Sequence, residues 1–491
     1  MVPAVLFDLD NTLANTESIR ELRESMRYDD LNAETMEKVR LYKPIPALLK
    51  TLREQGVLLG VVTNSGAGYV KRVFEHLGLT DTFDTVVTYS DVKADGMKPS
   101  PKGLQLALKN LGLKASPEIL YVGDENHDHV AAYHAGITPV MPSWATRKAV
   151  SMAPALEMSS KYLLDYVSDP EEYALFAERC AELQTADYKR KQVYFLPLDL
   201  SANVVTIKDE MTSFCLGRYF SQKAATTAWL HDHHALSREI VKKEEQAVFA
   251  IPPHWVQMLV HVVRKGPEFA FEDKHPFDVL TVIPGKKGKD PRLERLLEEM
   301  RVMMEDDDPK PEFIPDAFYF VDDALSQKNL GRADRSFESR RALQLNENRA
   351  ADLAGKYVLV IDDVITTGST LERAQELCAR AGASKVMGLA IAKTVSIMED
   401  ERQCVMCGRP MKVRRSKVSG DRFWGCSGFF DEDDPCKHTE PLIKKECPRC
   451  TRAMRIRTNG RTGEKFWGCT GYRETPSCSY SENLDPSEMP N

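Results

Sequence analysis

The cysteines near the C-terminus restrict the possible folds of this chain more than any other feature. Eight of its 11 cysteines form two units of similar spacing, and each unit contains the sequence FWGC. The eight are Cys404, Cys407, Cys426 and Cys436, then Cys447, Cys450, Cys469 and Cys478. Four thiolates at this spacing match a tetrahedral zinc site, and units this small cannot fold without the metal. The sequence therefore predicts two structural Zn²⁺ ions.

These two units resemble the four-cysteine zinc ribbons at the C-terminus of bacterial type I topoisomerases, including the stretches that begin at Gly425 and Gly468. The resemblance implies binding to DNA or RNA, single strands especially, and leaves contact with a protein as the other interpretation. The expected nucleic-acid contacts are Arg414, Arg415, Trp424, Arg455, Arg457 and Trp467. For the two tryptophans, base stacking and packing against the metal site are both open. From Cys404 onward, 16 Lys and Arg against 12 Asp and Glu favour a polyanionic partner.

Polar residues follow short apolar runs in the N-terminal part of the chain. Val5 to Phe7 predict a buried strand, and Asp8 and Asp10 follow it on one face, where two carboxylates repel each other unless a cation or a shared proton intervenes. Further polar groups follow later apolar runs or begin a loop: Thr63, Asn64, Lys98, Asp124 and Asp128. Because open α/β sheets bind ligands at strand ends, the pattern predicts one site.

These residues form four motifs along the chain: Asp8 with Asp10, Thr63 with Asn64, Lys98, and Asp124 with Asp128. In this order, the motifs resemble those of the haloacid-dehalogenase superfamily. The resemblance implies phosphoryl transfer in which Asp8 is the nucleophile and Asp10 the general acid and base. Thr63 and Lys98 would neutralise the phosphoryl oxygens, and Asn64 would contact the substrate. The implied Mg²⁺ site comprises Asp8, Asp10 through its carbonyl group, Asp124 and, in support, Asp128. Members of this superfamily insert a cap over the site after the first motif, and here the corresponding segment, 15–42, is short. A short cap favours access by a bulky phosphoester or a macromolecular end.

A second phosphate-binding pattern lies in the middle of the chain. The segment VLVIDDVITTGST is a strand, a Gly/Thr/Ser turn and a helix start, which presents backbone N–H groups to a phosphate. It resembles the signature of type I phosphoribosyltransferases. The resemblance implies that Asp362 and Asp363 contact the ribose hydroxyls of phosphoribosyl pyrophosphate, with Mg²⁺ on the pyrophosphate. The implied 5′-phosphate loop is Thr366, Thr367, Gly368, Ser369 and Thr370, and the implied pyrophosphate loop contains Lys286 and Lys287.

We therefore predict an α/β protein with two Rossmann-like parallel-sheet domains followed by tandem zinc ribbons. The predicted parts are a phosphatase domain at 1–150 with a short helical cap at 15–42, a helical connection at 151–185, a phosphoribosyltransferase-like domain at 186–395, and ribbons at 404–440 and 447–482. No apolar run is long enough for a bilayer, and the N-terminus lacks a secretory pattern, so we expect no membrane partner and a cytoplasmic location.

The predicted function is a Mg²⁺-dependent phosphatase joined to a phosphoribosyltransferase that uses phosphoribosyl pyrophosphate and an unidentified base. Its phosphatase substrate would be a phosphorylated small molecule or a nucleotide, and a nucleoside-like product would follow if the two sites act in turn. Two alternatives stay open. One is a nucleic-acid end-processing phosphatase with a phosphoribosyl pyrophosphate-sensing domain. The other is a non-enzymatic DNA-binding regulator that responds to phosphoribosyl pyrophosphate.

Overall fold

The computed structural model describes most of the chain in two compact units. One unit is Met1–Tyr219 with His234–Val395, and the other is Phe220–His233 with Ser396–Asn491. The described residues are 2–145, 149–187, 192–206, 211–222, 228–286, 288–321, 342–395, 406, 411–415, 422–426, 429, 435–441, 447–450, 452, 454–459, 462, 464–473, 475 and 477–483. Of the predicted site residues, Lys287, Cys404 and Cys407 lie outside these ranges, and the side chains of Arg414, Arg415 and Arg455 are outside the description as well.

The first sheet has six parallel strands, and one of its inner strands, Ala4–Phe7, is its central strand. Their order is Thr85–Val87, Leu58–Val62, Ala4–Phe7, Leu120–Val122, Thr138–Pro142 and Leu156–Met158. Ala4–Phe7 is apolar and fully buried, with a parallel neighbour on each side and with Ala4 and Leu6 packed against the helices Lys102–Asn110 and Asn126–Ala135. The α-helices of this part are Arg20–Glu24, Ile45–Glu54, Ala67–Leu77, Tyr89–Val92, Lys102–Asn110, Asn126–Ala135 and Ser160–Ser168. The carboxyl end of the central strand leads directly to Asp8.

A short insert follows the first strand. It lies between Ala14–Asn15 and Arg40–Leu41, which pair antiparallel at its base. Within it, the α-helix Arg20–Glu24 is flanked by the 3-10 turns Glu17–Ile19 and Tyr28–Asp30. The segment predicted as a helical cap thus contains a single short α-helix and two turns among its described residues, which keeps it small.

The second sheet is also mainly parallel. Six of its strands lie in the order Glu312–Ile314, Val279–Val282, Tyr357–Ile365, Lys385–Val395, Ser213–Cys215 and Leu196–Leu198, and Arg218–Phe220 is the seventh. Only the pair of Leu196–Leu198 with Ser213–Cys215 is antiparallel on that path. The surrounding α-helices are Phe176–Leu183, Ala235–Glu245, Pro253–Lys265, Pro267–Ala270, Arg292–Met303, Ala350–Leu353 and Ser369–Arg380, beside a hairpin of Phe318–Phe320 and Leu343–Leu345. Tyr357–Ile365 is therefore a central strand.

The two parallel sheets are connected by partly buried polar contacts within the first compact unit. Arg218 Nε donates to Glu178 Oε1 at 2.8 Å, and Arg218 Nη1 donates to the hydroxyl oxygen of Tyr133 at 3.2 Å. Val150 and Val204 form an antiparallel bridge nearby. Since a buried cation needs its partner, this contact ties the helix that carries Tyr133 to the second sheet.

Each ribbon has a three-stranded antiparallel sheet. The strands are Met411–Arg415, Arg422–Cys426 and Thr439–Pro441 in the first, and Met454–Thr458, Lys465–Cys469 and Ser481–Asn483 in the second. The short α-helix Ala228–His233 belongs to the same compact unit. Among the residues that the structure describes, none of the helices combines the length and the apolar composition of a membrane span. The predicted fold class, two parallel-sheet domains followed by zinc ribbons, is confirmed.

Candidate active sites and metal centres

Three carboxylates meet at the carboxyl edge of the first sheet. Asp8 follows the central strand, Asp124 follows its neighbour Leu120–Val122, and Asp128 lies in the first turn of the helix that begins at Asn126. One oxygen atom from each of the three lies within 4.8 Å of the other two, and all three residues are buried. This edge brings together residues more than a hundred positions apart because the two strands are parallel neighbours.

Lys98 bridges two of these carboxylates. Its Nζ donates to Asp8 Oδ1 and to Asp128 Oδ1, each at 2.6 Å, and to the hydroxyl oxygen of Tyr121 at 2.9 Å. The Lys98 backbone N–H donates to Asn64 Oδ1 at 2.8 Å, and Asn64 Nδ2 donates to the Lys98 carbonyl at 3.2 Å. Asn64 therefore holds the loop that delivers the lysine. Tyr121 was missed from the sequence because it lies inside an apolar strand, LYV.

The site has more negative charge than one lysine offsets. Burial raises the pKa of Asp8 to about 7, against the lowering effect of Lys98. Burial, with the charge of Asp128, raises the pKa of Asp124 to about 8. Although burial opposes it, the charges of Asp128 and Asp8 hold the pKa of Lys98 well above its ordinary value. Clustered oxygen donors whose negative charges repel one another fit a hard divalent cation such as Mg²⁺.

Asp10 faces a different set of groups. Its Oδ1 contacts Arg23 Nη1 at 2.9 Å and accepts hydrogen bonds from the hydroxyls of Tyr69 at 2.6 Å and Thr16 at 2.7 Å. Its Oδ2 accepts from the Ser65 hydroxyl at 2.7 Å. The Asp10 carboxylate is thus outside the group of three carboxylates, and the predicted metal contact through its carbonyl group stays a prediction. Burial lowers the pKa of Arg23, but the charge of Asp10 outweighs burial, and the pKa of Arg23 lies above its ordinary value.

Two threonines complete the first site. Thr63 is buried, and its Oγ1 accepts a hydrogen bond from the Ser65 backbone N–H at 3.1 Å. Thr12, which the sequence analysis did not single out, donates from Oγ1 to Asp124 Oδ1 at 2.8 Å. The Trp144 indole N–H donates to the Thr12 carbonyl at 3.0 Å. Asp8, Asp10 and Thr12 therefore reach different parts of the site, since Asp8 contacts Lys98, Asp10 contacts Arg23 and Thr12 contacts Asp124.

The second site lies at the carboxyl end of Tyr357–Ile365. Asp363 is 4% exposed, and its Oδ2 accepts from Arg292 Nε at 2.6 Å while its Oδ1 contacts Lys243 Nζ at 3.0 Å. Although burial opposes it, Lys243 and then Arg292 lower the pKa of Asp363. Burial and the neighbouring Asp363 charge instead raise the pKa of Asp362 to about 7. The two adjacent aspartates therefore differ in their charge at neutral pH.

The predicted 5′-phosphate loop is a tight turn before a long helix. Gly368 has φ +78°, and a Cβ atom there would lie 2.9 Å from the Ala202 Cβ, so this position requires glycine. The hydroxyls of Thr367 and Ser369 are 3.0 Å apart, and Ser369 begins the helix Ser369–Arg380. Thr366 and Thr367 are exposed. The helix N-terminus offers its backbone N–H groups to an anion at this turn.

Two further predicted residues, Thr370 and Lys286, have clear positions. Thr370 lies in the first turn of the helix and is half-buried. Lys286 is exposed in the loop after Val279–Val282, and its carbonyl accepts from the Lys289 backbone N–H at 2.9 Å. Lys243 and Arg292 were not predicted, since each belongs to a helix of ordinary amphipathic sequence.

The second ribbon gathers four thiols. The sulfur atoms of Cys447, Cys450, Cys469 and Cys478 lie within 4.8 Å of one another. The Cys447 and Cys478 sulfurs are 3.7 Å apart, close to the edge of about 3.8 Å that four ligands at Zn–S distances near 2.3 Å would form. The Gly471 backbone N–H donates to the Cys469 sulfur at 3.3 Å. The donor set and its spacing therefore fit Zn²⁺.

The ribbon tryptophans pack inward. Trp467 is 1% exposed and packs with Cys447, Met454 and Cys469, and Trp424 is 9% exposed. Trp467 therefore packs against the cysteines of the second ribbon, and Trp424 is buried, while base stacking stays a prediction for both. Arg457 is exposed and lies against the neighbouring strand, with Nη2 3.4 Å from the Cys469 carbonyl. In the first ribbon, Cys426 is buried and Cys436 half-buried.

Comparison with known protein families matches consecutive parts of the chain to three families. Residues 19–141 match the haloacid dehalogenase-like hydrolases, and 321–411 match the phosphoribosyl transferase domain. Residues 401–445 and 444–487 each match the topoisomerase DNA-binding C4 zinc finger. These matches, in this order along the chain, confirm the predicted combination of a haloacid dehalogenase-like region, a phosphoribosyltransferase-like region and two topoisomerase-type zinc ribbons, and the predicted domain bounds stay predictions.

Individual relatives cover the first domain. A phosphoglycolate phosphatase of Pectobacterium atrosepticum is 37% identical over 123 residues, which is 25% of this chain and 50% of that protein. A pyrophosphatase PpaX of Bacillus cereus is 35% identical over 133 residues, which is 27% of this chain and 59% of that protein. The chain thus spans about half to three-fifths of the length of these relatives. A HAD phosphatase structure from Thermococcus onnurineus is 26% identical, with a TM-score of 0.28, and covers 33% of this chain and 97% of that one.

Proposed function

We propose that this chain is a Mg²⁺-dependent phosphohydrolase and a phosphoribosyltransferase, held on single-stranded DNA or RNA by its zinc ribbons. The observation that carries the first activity is the meeting of Asp8, Asp124 and Asp128 within 4.8 Å, bridged by Lys98 at 2.6 Å from both Asp8 and Asp128. A buried nucleophile beside a fixed cation is what phosphoryl transfer requires, because charge develops on the phosphoryl oxygens. The relatives named for phosphatase and pyrophosphatase activity support the same chemistry.

The proposed reaction proceeds in two displacements. An Asp8 carboxylate oxygen attacks phosphorus, the bond from phosphorus to the leaving oxygen breaks, and Asp10 gives that oxygen a proton. Asp10 then takes a proton from water, whose oxygen attacks the aspartyl phosphate and releases inorganic phosphate. Lys98, fixed by Asn64, holds the Asp8 carboxylate in position for both steps. Mg²⁺, held by Asp8, Asp124 and the Asp10 carbonyl with Asp128 behind them, would supply charge neutralisation at the phosphoryl group.

The second proposed activity joins a base to ribose 5-phosphate. The turn from Thr366 to Thr370 would hold the 5′-phosphate, because its backbone N–H groups begin a helix of 12 residues. Asp362 and Asp363 would contact the ribose hydroxyls, and the loop at Lys286 would lie by the pyrophosphate. The bond from the ribose carbon to pyrophosphate breaks as a bond from a nitrogen of the base to the same carbon forms, and Lys243 and Arg292, which contact Asp363, would offset the charge of the departing pyrophosphate. Removal of the phosphate at the first site would complete a nucleoside-like product.

One observation favours a second candidate for the middle domain. Asp363 is buried and already paired with Arg292 and Lys243, so a ribose hydroxyl can reach this carboxylate only after the surrounding side chains rearrange. A domain that binds phosphoribosyl pyrophosphate by such a rearrangement, without transferring it, would act as a sensor. It would then serve either a phosphatase acting on nucleic-acid ends or a DNA-binding regulator.

The test of these functions is the release of phosphate and pyrophosphate by the full chain with Mg²⁺. The chain is mixed with a metabolite extract, then with phosphoribosyl pyrophosphate and individual bases, and compared with Asp8→Asn and Asp363→Asn. We expect Asp8→Asn to remove phosphate release alone and Asp363→Asn to remove pyrophosphate release alone. Tight binding of phosphoribosyl pyrophosphate without pyrophosphate release under any base would instead establish the sensor. Phosphate release from oligonucleotide ends, but not from nucleoside monophosphates, would establish end processing.

A further inference from the structure

The helix Asn126–Ala135 has a face that the proposed phosphoryl transfer does not use. Asn126, His129 and Tyr133 are three and four positions apart, so they lie on one side of this helix. Asn126 Oδ1 accepts a hydrogen bond from the Met152 backbone N–H at 2.8 Å, and His129 Nδ1 lies 3.2 Å from the Met152 carbonyl oxygen. This face of the helix therefore holds a neighbouring loop of the first domain in place.

Tyr133 links this loop to the second sheet. It is 3% exposed, and its hydroxyl donates to the Ala153 carbonyl oxygen at 2.6 Å and accepts from Arg218 Nη1 at 3.2 Å. Arg218 lies in a strand of the second sheet, and Glu178 accepts hydrogen bonds from its Nε at 2.8 Å and its Nη2 at 2.9 Å. Although burial opposes it, Arg218 and His234 hold the pKa of Glu178 well below its usual range, so this carboxylate stays charged. A hydroxyl has one hydrogen to donate, and the Arg218 N–H, which the hydroxyl oxygen accepts, leaves that hydrogen for Ala153.

The same loop reaches the second site through a hairpin. Val150 and Val204 exchange two backbone hydrogen bonds, at 3.1 and 2.7 Å. The turn before Val204, residues 199–203, contains Ala202, which is buried and has φ +58°. A Cβ atom on Gly368 would lie 2.9 Å from the Ala202 Cβ, so the backbone of the predicted 5′-phosphate loop packs directly on this turn. All of these residues belong to the first compact unit, and the 5′-phosphate loop therefore packs on a turn that is bonded to the first domain.

We propose that Tyr133, a residue of the first domain, is a positioning residue of the second site. It holds the loop that, through the bridge of Val150 with Val204, keeps Ala202 packed against the 5′-phosphate loop at Gly368. This inference rests on the proposed binding of phosphoribosyl pyrophosphate at that loop. Backbone N–H groups bind a phosphate only when they point at its oxygens, so a displaced loop loses affinity for the 5′-phosphate. The first domain is then a structural part of the phosphoribosyl site, in addition to having its own chemistry.

The experiment measures binding of phosphoribosyl pyrophosphate and of ribose 5-phosphate to the full chain with Mg²⁺ by titration calorimetry. We expect Tyr133→Phe to raise the Kd of both ligands by about 5- to 20-fold, because a small displacement of the loop misaligns its N–H groups. The matched control is Tyr162→Phe, which removes a hydroxyl that donates to the Tyr173 carbonyl oxygen, also at 2.6 Å. The control loses a comparable hydrogen bond outside this series of contacts, so its Kd should stay within about twofold of wild type. Phosphate release at the first site should stay within about twofold of wild type in both variants.

A second variant tests the far end of the same series of contacts. Glycine is favoured at φ +58°, so Ala202→Gly keeps the turn and removes only the methyl group beside Gly368. It should also raise Kd, and the double variant with Tyr133→Phe should bind no more weakly than the weaker single variant, since both interrupt one series of contacts. Additive losses in the double variant would overturn the proposal, as would a wild-type Kd in Tyr133→Phe. A wild-type chain that binds neither ligand would remove the proposed phosphoribosyl site, and this inference with it.

Discussion

The two aspartate pairs of this chain lie at equivalent edges of two parallel sheets and handle charge in different ways. Asp8 and Asp10 are two positions apart, and each has its own cation, Lys98 or Arg23. Asp362 and Asp363 are adjacent, and two cations converge on Asp363. In both pairs one aspartate has a pKa raised to about 7, Asp8 in the first and Asp362 in the second.

The difference concerns where the cations come from. Lys98 lies in a loop of the same motif set as Asp8 and bridges it to a second carboxylate, Asp128. Arg292 and Lys243 come instead from two helices outside the phosphate-binding signature. The first site therefore has surplus negative charge, suited to a metal ion, whereas two cations surround one buried carboxylate in the second, suited to an anion such as pyrophosphate.

The largest expected effect concerns the lysine of the first pair. Lys98→Met keeps the length of the side chain and removes the charge that bridges Asp8 and Asp128. We expect kcat for phosphate release to fall by about 10³- to 10⁴-fold, since the nucleophile loses both its position and its counter-charge. Pyrophosphate release at the second site should be unaffected, and both rates are measured on one sample. A matching loss of pyrophosphate release would mean that the two sites do not hold their charges independently.

The contrast between motif and helix cations also explains what could be predicted from sequence. Asp8 and Asp124 follow apolar runs that form neighbouring parallel strands, so their meeting at one edge follows from chain-local patterns, and Asp363 follows an apolar run in the second sheet in the same way. The ribbon cysteines are equally local, because their spacing repeats. The family architecture was predictable for the same reason.

Arg23 and Lys243 could not be predicted in this way. Each lies on a helix, where arginine and lysine are ordinary surface residues, and only packing decides which one turns inward. Lys242 and Lys243 are adjacent, for example, and of the two it is Lys243 that packs against Asp363. The role of Trp467 was left open for a related reason, since an aromatic residue beside a metal ligand suits a core and a stacking surface equally.

The next prediction tests the second pair. Asp363→Asn leaves Lys243 and Arg292 facing a neutral amide in a buried position, so we expect a loss of about 3–4 kcal/mol in the local free energy of unfolding. Asp362→Asn should change it far less, because a pKa of about 7 leaves this residue only partly charged at neutral pH and the two cations form their ion pairs with Asp363 rather than with Asp362. Hydrogen exchange of the amide groups in Tyr357–Ile365 measures both. Equal losses in the two variants would contradict the unequal charge of the pair.

A smaller effect should follow from pH. The folded chain keeps a proton on Asp362 up to a pKa of about 7, whereas the unfolded chain loses it near 3.8. The folded state therefore binds more protons between these values, and its stability falls as pH rises from about 4 to about 7, then levels off. We expect about 1–2 kcal/mol from this residue. Asp362→Asn should flatten this part of the profile relative to wild type, while other groups cancel in the difference. An identical slope in both proteins would show that Asp362 ionises normally.

The smallest expected effect distinguishes the two cations on Asp363. Lys243→Met removes one of them, but Arg292 Nε and Nη2 still contact Asp363 Oδ2, so no buried charge is left alone. We expect a loss of about 1 kcal/mol, the usual net contribution of one hydrogen bond to protein stability. The adjacent Lys242→Met is the matched control, since Lys242 is exposed, and should stay within about 0.5 kcal/mol of wild type.

Binding of phosphoribosyl pyrophosphate, followed by titration calorimetry, should weaken in Lys243→Met alone if this cation moves from Asp363 to the pyrophosphate. Unchanged affinity would make Lys243 a partner of the carboxylate only, and the second aspartate pair would then resemble the first, in which Lys98 stays with Asp8.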